Sequence, residues 1–392
     1  MANFTVYEPN NGNEVVRKSL AKIKVIGVGG GGNNAVSEMW NVKAMDGVEL
    51  IVANTDLDFL NASPVVHKIQ IGEETTKGQG AGSDENVGRM AAEENADKIK
   101  QALQGADIVF ISAGMGGGTG TGASPVVARI ARELGILTVA IVTKPFKNEG
   151  RQRARIAERG IEALRDEVDS LIVIPNDKIN ENNPTALMKD AFKTVNMVLV
   201  DSVKSLVDII CDVGLINTDL NDVRSLMRKR GTAMICYAEA SGEDRAVSAT
   251  QLAMSSPLLE NINLSTAQGI LIHVSGSNTT LTSDEYNAVQ EEIYSVLPDG
   301  NSEDSEVFMK VGLNMNDALG DKLRVIIFAT GMDDGKNEEK QTLGASVSVP
   351  PLQPPPAFGS YGAIPPAPSL LPPQPEPSQP EEKKGGFFGF FK

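Results

Sequence analysis

The first part of the chain alternates short apolar runs with longer stretches whose apolar positions recur every three or four residues. Six runs predict strands, at 23–28, 49–53, 68–71, 107–113, 136–143 and 170–174, and helical periodicity separates them, notably over 86–104, 123–134 and 151–168. Apolar strands spaced by helices are the pattern of parallel βαβ units. The expected fold class is therefore α/β, a Rossmann-like doubly wound parallel sheet with ligands at the C-terminal strand ends.

From 185 to 212, Leu187, Ala191, Val195, Val198, Val203, Leu206 and Ile210 recur at helical spacing with no proline. That predicts one long central helix, a spine leading to a second unit. The second unit is expected to be a smaller α+β domain with a four-stranded sheet, with strands near 233–238, 270–274, 307–313 and 325–330. Its helices are expected at 244–256 and 284–297, the latter opening on Thr282-Ser-Asp-Glu285, a capping box. Past Met332 the pattern stops. Thirteen of the 21 prolines fall between Pro350 and Pro380, a composition that cannot bury a core and predicts a disordered tether. The last residues, Lys383-Lys-Gly-Gly-Phe-Phe-Gly-Phe-Phe-Lys392, concentrate aromatic rings between lysines, as a docking tail would.

With 392 residues, 41% of them hydrophobic, the chain can support two domains with proper cores. A net charge of −15 argues against nucleic acid as a partner, because duplex binding leans on Lys and Arg. Cys211 and Cys236, both in apolar surroundings, fit core thiols in a reducing cytoplasm rather than a disulfide framework. No apolar run reaches the length of a membrane span and no signal-peptide pattern opens the chain, so a cytoplasmic location is expected. His67 and His273 are too few and too separated to predict a metal or catalytic centre, and no metal-ligand set is expected among the side chains.

Candidate chemistry begins at Gly116-Gly-Gly-Thr-Gly-Thr-Gly122, wedged between the strand at 107–113 and the helix at 123–134. Such a loop lets successive N–H groups converge on an anion at a helix N-terminus, a phosphate cradle. A P-loop would need Gly-x-x-x-x-Gly-Lys-Ser/Thr, which does not occur, so backbone dipoles, hydroxyls and a Mg²⁺ carried in with the nucleotide must meet the charge. A second loop, Gly29-Gly-Gly-Gly-Asn-Asn34, follows the first strand. Together with Gly27 and Asp56 it matches the dinucleotide pattern Gly-x-Gly-x-x-Gly, which on its own means NAD or FAD. Two cradles on one sheet suit the several phosphates of a nucleoside triphosphate better. A third segment, Val213-Gly-Leu-Ile-Asn217-Thr-Asp219-Leu-Asn-Asp222-Val, places two carboxylates beside an amide. It can polarise a water, or equally form a turn in which Asp and Asn cap backbone N–H groups.

Taken together, these residues resemble the FtsZ family of bacterial tubulin homologues, GTPases that assemble into the cytokinetic ring. The resemblance runs from about residue 23 to Met332. It is carried by 29–34, Asn54-Thr-Asp56, Gly80-Ala-Gly82, 116–122, Thr143-Lys-Pro-Phe-Lys-Asn-Glu149-Gly-Arg, Val173-Ile-Pro-Asn-Asp177, 217–223 and Ser255-Ser-Pro-Leu-Leu-Glu260. It implies a GTP-binding domain at 20–184, a central helix with the acidic loop at 185–230 and a C-terminal domain at 231–332. Composition adds a flexible N-terminal segment at 1–19, a disordered linker at 333–382 and a docking tail at 383–392. The resemblance further implies that Gly29, Gly30, Gly31, Gly82, Gly117, Gly118, Thr119 and Gly120 hold GTP or GDP phosphates, with Ala81 and Gly116 beside them. Glu149 and Arg153 would hold the ribose, Phe192 would stack on guanine, and Asn34 and Asn196 would read its edge. In this family Asn217, Asp219 and Asp222 would serve the nucleotide of the next subunit, so that hydrolysis follows head-to-tail self-assembly at mid-cell.

Four departures stand out, one of them in the acidic loop, which carries Thr218, Leu220 and Asn221 where the family commonly has an apolar residue, Phe and Ala. Ser83-Asp-Glu-Asn86 replaces a small residue followed by Asn-Pro-Glu, bringing an extra carboxylate near the phosphates. Glu38 stands where many members carry arginine. The tail barely resembles the family's terminal peptide, so an adaptor protein, or anionic lipid met by Lys383, Lys384 and Lys392, is its expected partner. A divergent GTP-binding filament or regulator of the plasmid-partition type is the nearest alternative, and an NAD-dependent oxidoreductase a remote one.

Overall fold

A computed structural model describes residues 21–43, 45, 47–181, 187–211, 220–227, 232–256, 264–297 and 307–332. The chain runs β1 (Ile23–Val28), α1 (Gly29–Asn41), β2 (Val48–Asn54), α2 (Leu57–Ala62), β3 (His67–Gln70), α3 (Glu73–Thr76), α4 (Glu85–Glu94) and α5 (Ala96–Leu103). Then come β4 (Ile108–Gly114), α6 (Thr119–Glu133), β5 (Leu137–Lys144), α7 (Arg151–Arg165), β6 (Ser170–Pro175) and α8 (Asn176–Glu181). It continues through α9 (Met188–Cys211), α10 (Leu220–Met227), β7 (Thr232–Ser241), α11 (Arg245–Met254), β8 (Gly269–Gly276), α12 (Ser283–Tyr294), β9 (Phe308–Met315) and β10 (Lys322–Met332).

The strands form one sheet in the order β3-β2-β1-β4-β5-β6-β7-β10-β8-β9. The first six are parallel, the doubly wound arrangement the pattern predicts. In the last four, β10 runs antiparallel to both β7 and β8, while β9 is parallel to β8. What the sequence did not reveal is the seam. Leu171 and Ile172 of β6 pair in parallel with Thr232 and Ala233 of β7, so the two expected sheets meet edge to edge.

Helices cover both faces of the parallel half. On one, α4 to α7 bury Ala91, Ile99, Val127 and Ile161 against Ile111, Ile26 and Val142. On the other, α1 and α9 bury Val36, Met39, Val203 and Leu206 against Val25, Phe110 and Val139. That second core runs on without a break through α10 to Ile235, Leu271 and Phe328 of the other half, so the long helix packs along both. Each fully buried aliphatic or aromatic side chain there contributes about 1.5–3 kcal/mol. The far face of the C-terminal strands is closed by α11 and α12, and Thr282 and Glu285 form the expected capping box.

Two helix boundaries differ from expectation. The charged helix expected over 86–104 breaks at Asn95, whose Oδ1 accepts the Gly72 N–H at 2.6 Å instead of facing solvent. The helix expected from residue 123 starts at Thr119, so half the glycine loop is already helical. Of the histidines, His67 is exposed and His273 buried. Cys236 is a core thiol whose burial pushes its pKa up to about 12.

Candidate functional site

The first turn of α1 follows β1 without a linker, and the first turn of α6 follows β4 after a four-residue loop. Neither helix has a side-chain cap or an acidic residue in its first turn, so their N–H groups and dipoles are left for an anion. Backbone contacts press the two turns together. A Cβ on Gly29, where φ is +69°, would lie 2.6 Å from Gly120 N, and one on Gly31 would lie 2.9 Å from Gly114 Cα. Gly118 meets Ala81 in the same way, at 2.8 Å from the alanine Cβ, which draws in the 80–82 loop. Gly116, at φ +96°, rests against the Arg153 side chain, 2.7 Å from its Cγ. Three glycines behave differently: nothing lies within 4 Å of an added Cβ at Gly82 or Gly117, and only Phe59 Cζ, at 3.9 Å, near Gly30. These three face open space, while the others are small so that backbones can touch.

Hydroxyls lock the loops from behind. Thr55 Oγ1 and Thr119 Oγ1 share a buried hydrogen bond of 2.6 Å, and Gly116 N–H donates to Thr121 Oγ1 at 2.9 Å. Asp56, the residue a dinucleotide site would aim at ribose, caps α2 by accepting the Phe59 N–H at 3.0 Å.

Past β5 the chain forms a single turn over Lys147–Glu149 and enters α7. Phe146 N–H donates to Glu149 Oε1 at 2.8 Å, while Glu149 Oε2 pairs with Arg153 at 3.2 Å. The buried Phe146 ring meets Phe192 of α9 edge-on, with centroids 5.3 Å apart and planes at 86°. Asn196 is one turn along α9 from Phe192 and half-buried, and Asn34 is exposed on α1, which packs against α9. A chain of contacts thus links Ala81, Gly118, Gly116, Arg153, Glu149, Phe146 and Phe192 into one rim.

Of the two carboxylates at 83–86, one meets a cation and the other a backbone amide. Asp84 caps α4 by accepting Asn86 N–H at 2.8 Å. Arg159 of α7 clamps Glu85, with Nε at 3.0 Å, and this bonding holds the Glu85 carboxyl below its ordinary range. Glu85 is therefore ion-paired away from the cradle, while exposed Asp84 keeps its charge beside it. The sequence assigns no role to Arg159, and none to Phe146 beyond its place in the 143–151 motif, since each acts through a partner far along the chain.

Asp222 is elsewhere. It lies in the first turn of α10, whose Val223, Leu226 and Met227 are buried. Ser170 Oγ donates to Met227 O at 3.2 Å and Thr330 Oγ1 to Leu226 O at 3.0 Å. Ser170 opens β6, and Thr330 pairs with Gly269 at the start of β8. The glycine loops follow the opposite, C-terminal ends of β1 and β4. A six-residue strand spans about 20 Å, so α10 is tied to the far edge of the sheet from the cradle. There Lys310 of β9 forms an ion pair with Asp222, Nζ to Oδ2 3.3 Å. Asn217, Asp219 and the tail beyond Met332 lie outside the described residues.

Comparisons with known proteins identify the family. The model of the tubulin/FtsZ family, GTPase domain, matches residues 22–184, and that of the FtsZ family, C-terminal domain, matches 231–333. The cell division protein FtsZ of Buchnera aphidicola subsp. Baizongia pistaciae is 46% identical over 314 residues, 80% of this chain and 79% of that protein. Its counterpart from Coxiella burnetii is 46% identical over 313 residues, covering 80% and 79%. Among solved structures, an empty dimer of FtsZ from M. jannaschii superposes with a TM-score of 0.72 at 40% identity, covering 80% of this chain and 89% of that one. The GDP-bound monomer of CetZ1 from Haloferax volcanii shares the fold alone, with a TM-score of 0.69 at 20% identity over 83% of this chain and 99% of that one.

Proposed function

The chain belongs to the tubulin/FtsZ family, and on that footing we propose that it hydrolyses GTP at the contact between head-to-tail subunits of a filament. It is a GTPase and a tubulin homologue of the bacterial division ring, and it self-associates. The observation that carries the finer reading is the separation of the two halves of the chemistry. The uncapped turns of α1 and α6 sit at one end of the sheet, while α10 with Asp222 is tied to the other. One chain cannot bring them together; the bottom of one subunit on the top of another can. A contact between unlike surfaces does not close on itself, and open filaments result.

In this reading the phosphates accept hydrogen bonds from the amides of Gly29, Gly30, Gly31, Gly82 and the turn from Gly116 to Gly120. The open space at Gly30, Gly82 and Gly117 supports this reading, since it leaves their amides room for an anion. Thr119 adds its hydroxyl, Glu149 and Arg153 hold the ribose, Phe192 stacks on the base, and Asn34 and Asn196 read its edge. Asn217, Asp219 and Asp222 of the neighbouring subunit orient the attacking water. Neither first turn offers a carboxylate ligand, so Mg²⁺ would be held through the nucleotide phosphates and water and would offset phosphate charge. The filament works in the cytoplasm at mid-cell. Its residues 383–392 dock to an adaptor protein or to anionic lipid; equal pelleting with liposomes by chains with and without them would remove the lipid option.

GTP turnover per subunit measured against protein concentration tests the shared site. The rate should rise across the assembly threshold, and a flat rate would defeat the reading. Asp222→Ala should keep GTP binding and lose turnover.

A further inference from the structure

We propose that Lys310 is a positioning residue for GTP hydrolysis, holding the Asp222 carboxylate in the orientation the attacking water requires. The inference rests on the assignment of Asp222 above and adds to it a residue from a different part of the chain.

The backbone of α10 is fixed by its buried face and by the hydrogen bonds from Ser170 and Thr330, but Asp222 itself is 27% exposed and its carboxylate can turn about two torsions. Lys310 is one of the groups that bear on which rotamer it takes. Lys310 approaches from β9, the last strand of the sheet, where its backbone aligns with Leu271 of β8. Its ammonium lies 3.3 Å from Oδ2 and 5.9 Å from the centroid of the Phe308 ring, two residues back on the same face of β9. Phe308 packs against the core that also holds Val223 and Leu226 of α10, so the ring supports the lysine beside the helix it serves.

Geometry also explains why the cation is a lysine on a strand rather than a residue of α10. Side chains of a helix meet at three and four positions along. From Asp222 those positions are Ser225 and Leu226, neither of them cationic. The pair is partly exposed, so water and salt screen it and its strength is modest. Its value is directional. A carboxylate with one oxygen engaged by an ammonium presents the other in a narrower range of orientations, and reaction rates respond steeply to that range.

The division of labour also differs from that of a P-loop. A P-loop keeps its lysine in the nucleotide cradle, and the 116–122 loop has none. Here a lysine attends the hydrolytic carboxylate, and its charge joins the site only when Asp222 does.

The test compares full-length wild type, Lys310→Met, Lys310→Arg and Asp222→Ala at saturating GTP above the assembly threshold. GDP affinity and assembly threshold with a non-hydrolysable GTP analogue are measured alongside. Lys310→Met keeps the aliphatic stem and removes the charge. Its kcat should fall about fivefold, the scale of one partly screened ion pair, with KM, GDP affinity and threshold unchanged. Lys310→Arg should restore most of the rate. Wild-type kcat in Lys310→Met would overturn the proposal. So would a rate loss accompanied by a raised threshold, because that would make Lys310 an interface residue. Asp222→Ala separates the two levels: retained turnover would sink the shared-site reading itself, whereas a dead Asp222→Ala beside a fully active Lys310→Met would sink only the pairing.

Discussion

Replacing Phe192 with alanine separates nucleotide recognition from folding. The ring is 43% exposed, and its described aromatic contact is the edge-on meeting with Phe146 at 5.3 Å. Loss of that contact removes only about 0.5–1.5 kcal/mol of stability. As a stacking surface for a base the same ring is worth about 1–3 kcal/mol. At roughly 1.4 kcal/mol per tenfold, Phe192→Ala should weaken GDP binding about 5- to 150-fold. Phe146→Ala is the counterpart. That ring is 4% exposed and packed with Ala191 and Val195, so its removal should cost about 3–5 kcal/mol of stability. Its effect on affinity comes only through the loosened Phe192. Calorimetric titration with GDP and urea unfolding, both without assembly, give the two numbers for each variant. If Phe192→Ala binds GDP like wild type, the stacking argument fails; if it loses as much stability as Phe146→Ala, Phe192 belongs to the core.

The glycines offer a second contrast. Gly31→Ala forces a methyl to 2.9 Å from Gly114 Cα and should lower the melting temperature along with nucleotide affinity, whereas Gly117→Ala meets nothing within 4 Å and should melt like wild type while binding GDP more weakly. Equal melting temperatures for the two variants would contradict the division into packed and open positions. A third expectation concerns acid stability: burial, with a smaller push from the Arg324 charge, lowers the His273 imidazole from 6.5 to about 4. Below pH 6.5 the unfolded chain takes up a proton that the folded chain refuses until about pH 4, so this residue's contribution is lost as pH falls through that window, at up to ~1.4 kcal/mol per unit. Urea midpoints of His273→Gln should therefore decline less steeply with acid than those of wild type, and parallel declines would refute the assignment.

Much of this molecule was written locally. Apolar runs separated by helical periodicity marked the six parallel strands and the long α9, because side-chain burial on a strand or helix face imposes its period wherever the element lies. The Thr282–Glu285 cap and the two glycine loops were equally visible, since capping and tight turning are demands met by neighbouring residues. Other features needed the folded chain. Only the β6–β7 register shows that two sheets are one, and only tertiary contact shows that Gly31 is small for Gly114 while Gly117 is open. Arg159 quenches Glu85 from 74 positions away, Phe146 braces Phe192, and Lys310 reaches Asp222 from the last strand in the sheet. Each is a pairing of residues remote in sequence, and a single chain carries no periodicity that records which distant side chains will meet. Even the glycine cradle, so plain along the chain, acquired its opposite number only when α10 was found tied to the other end of the strands.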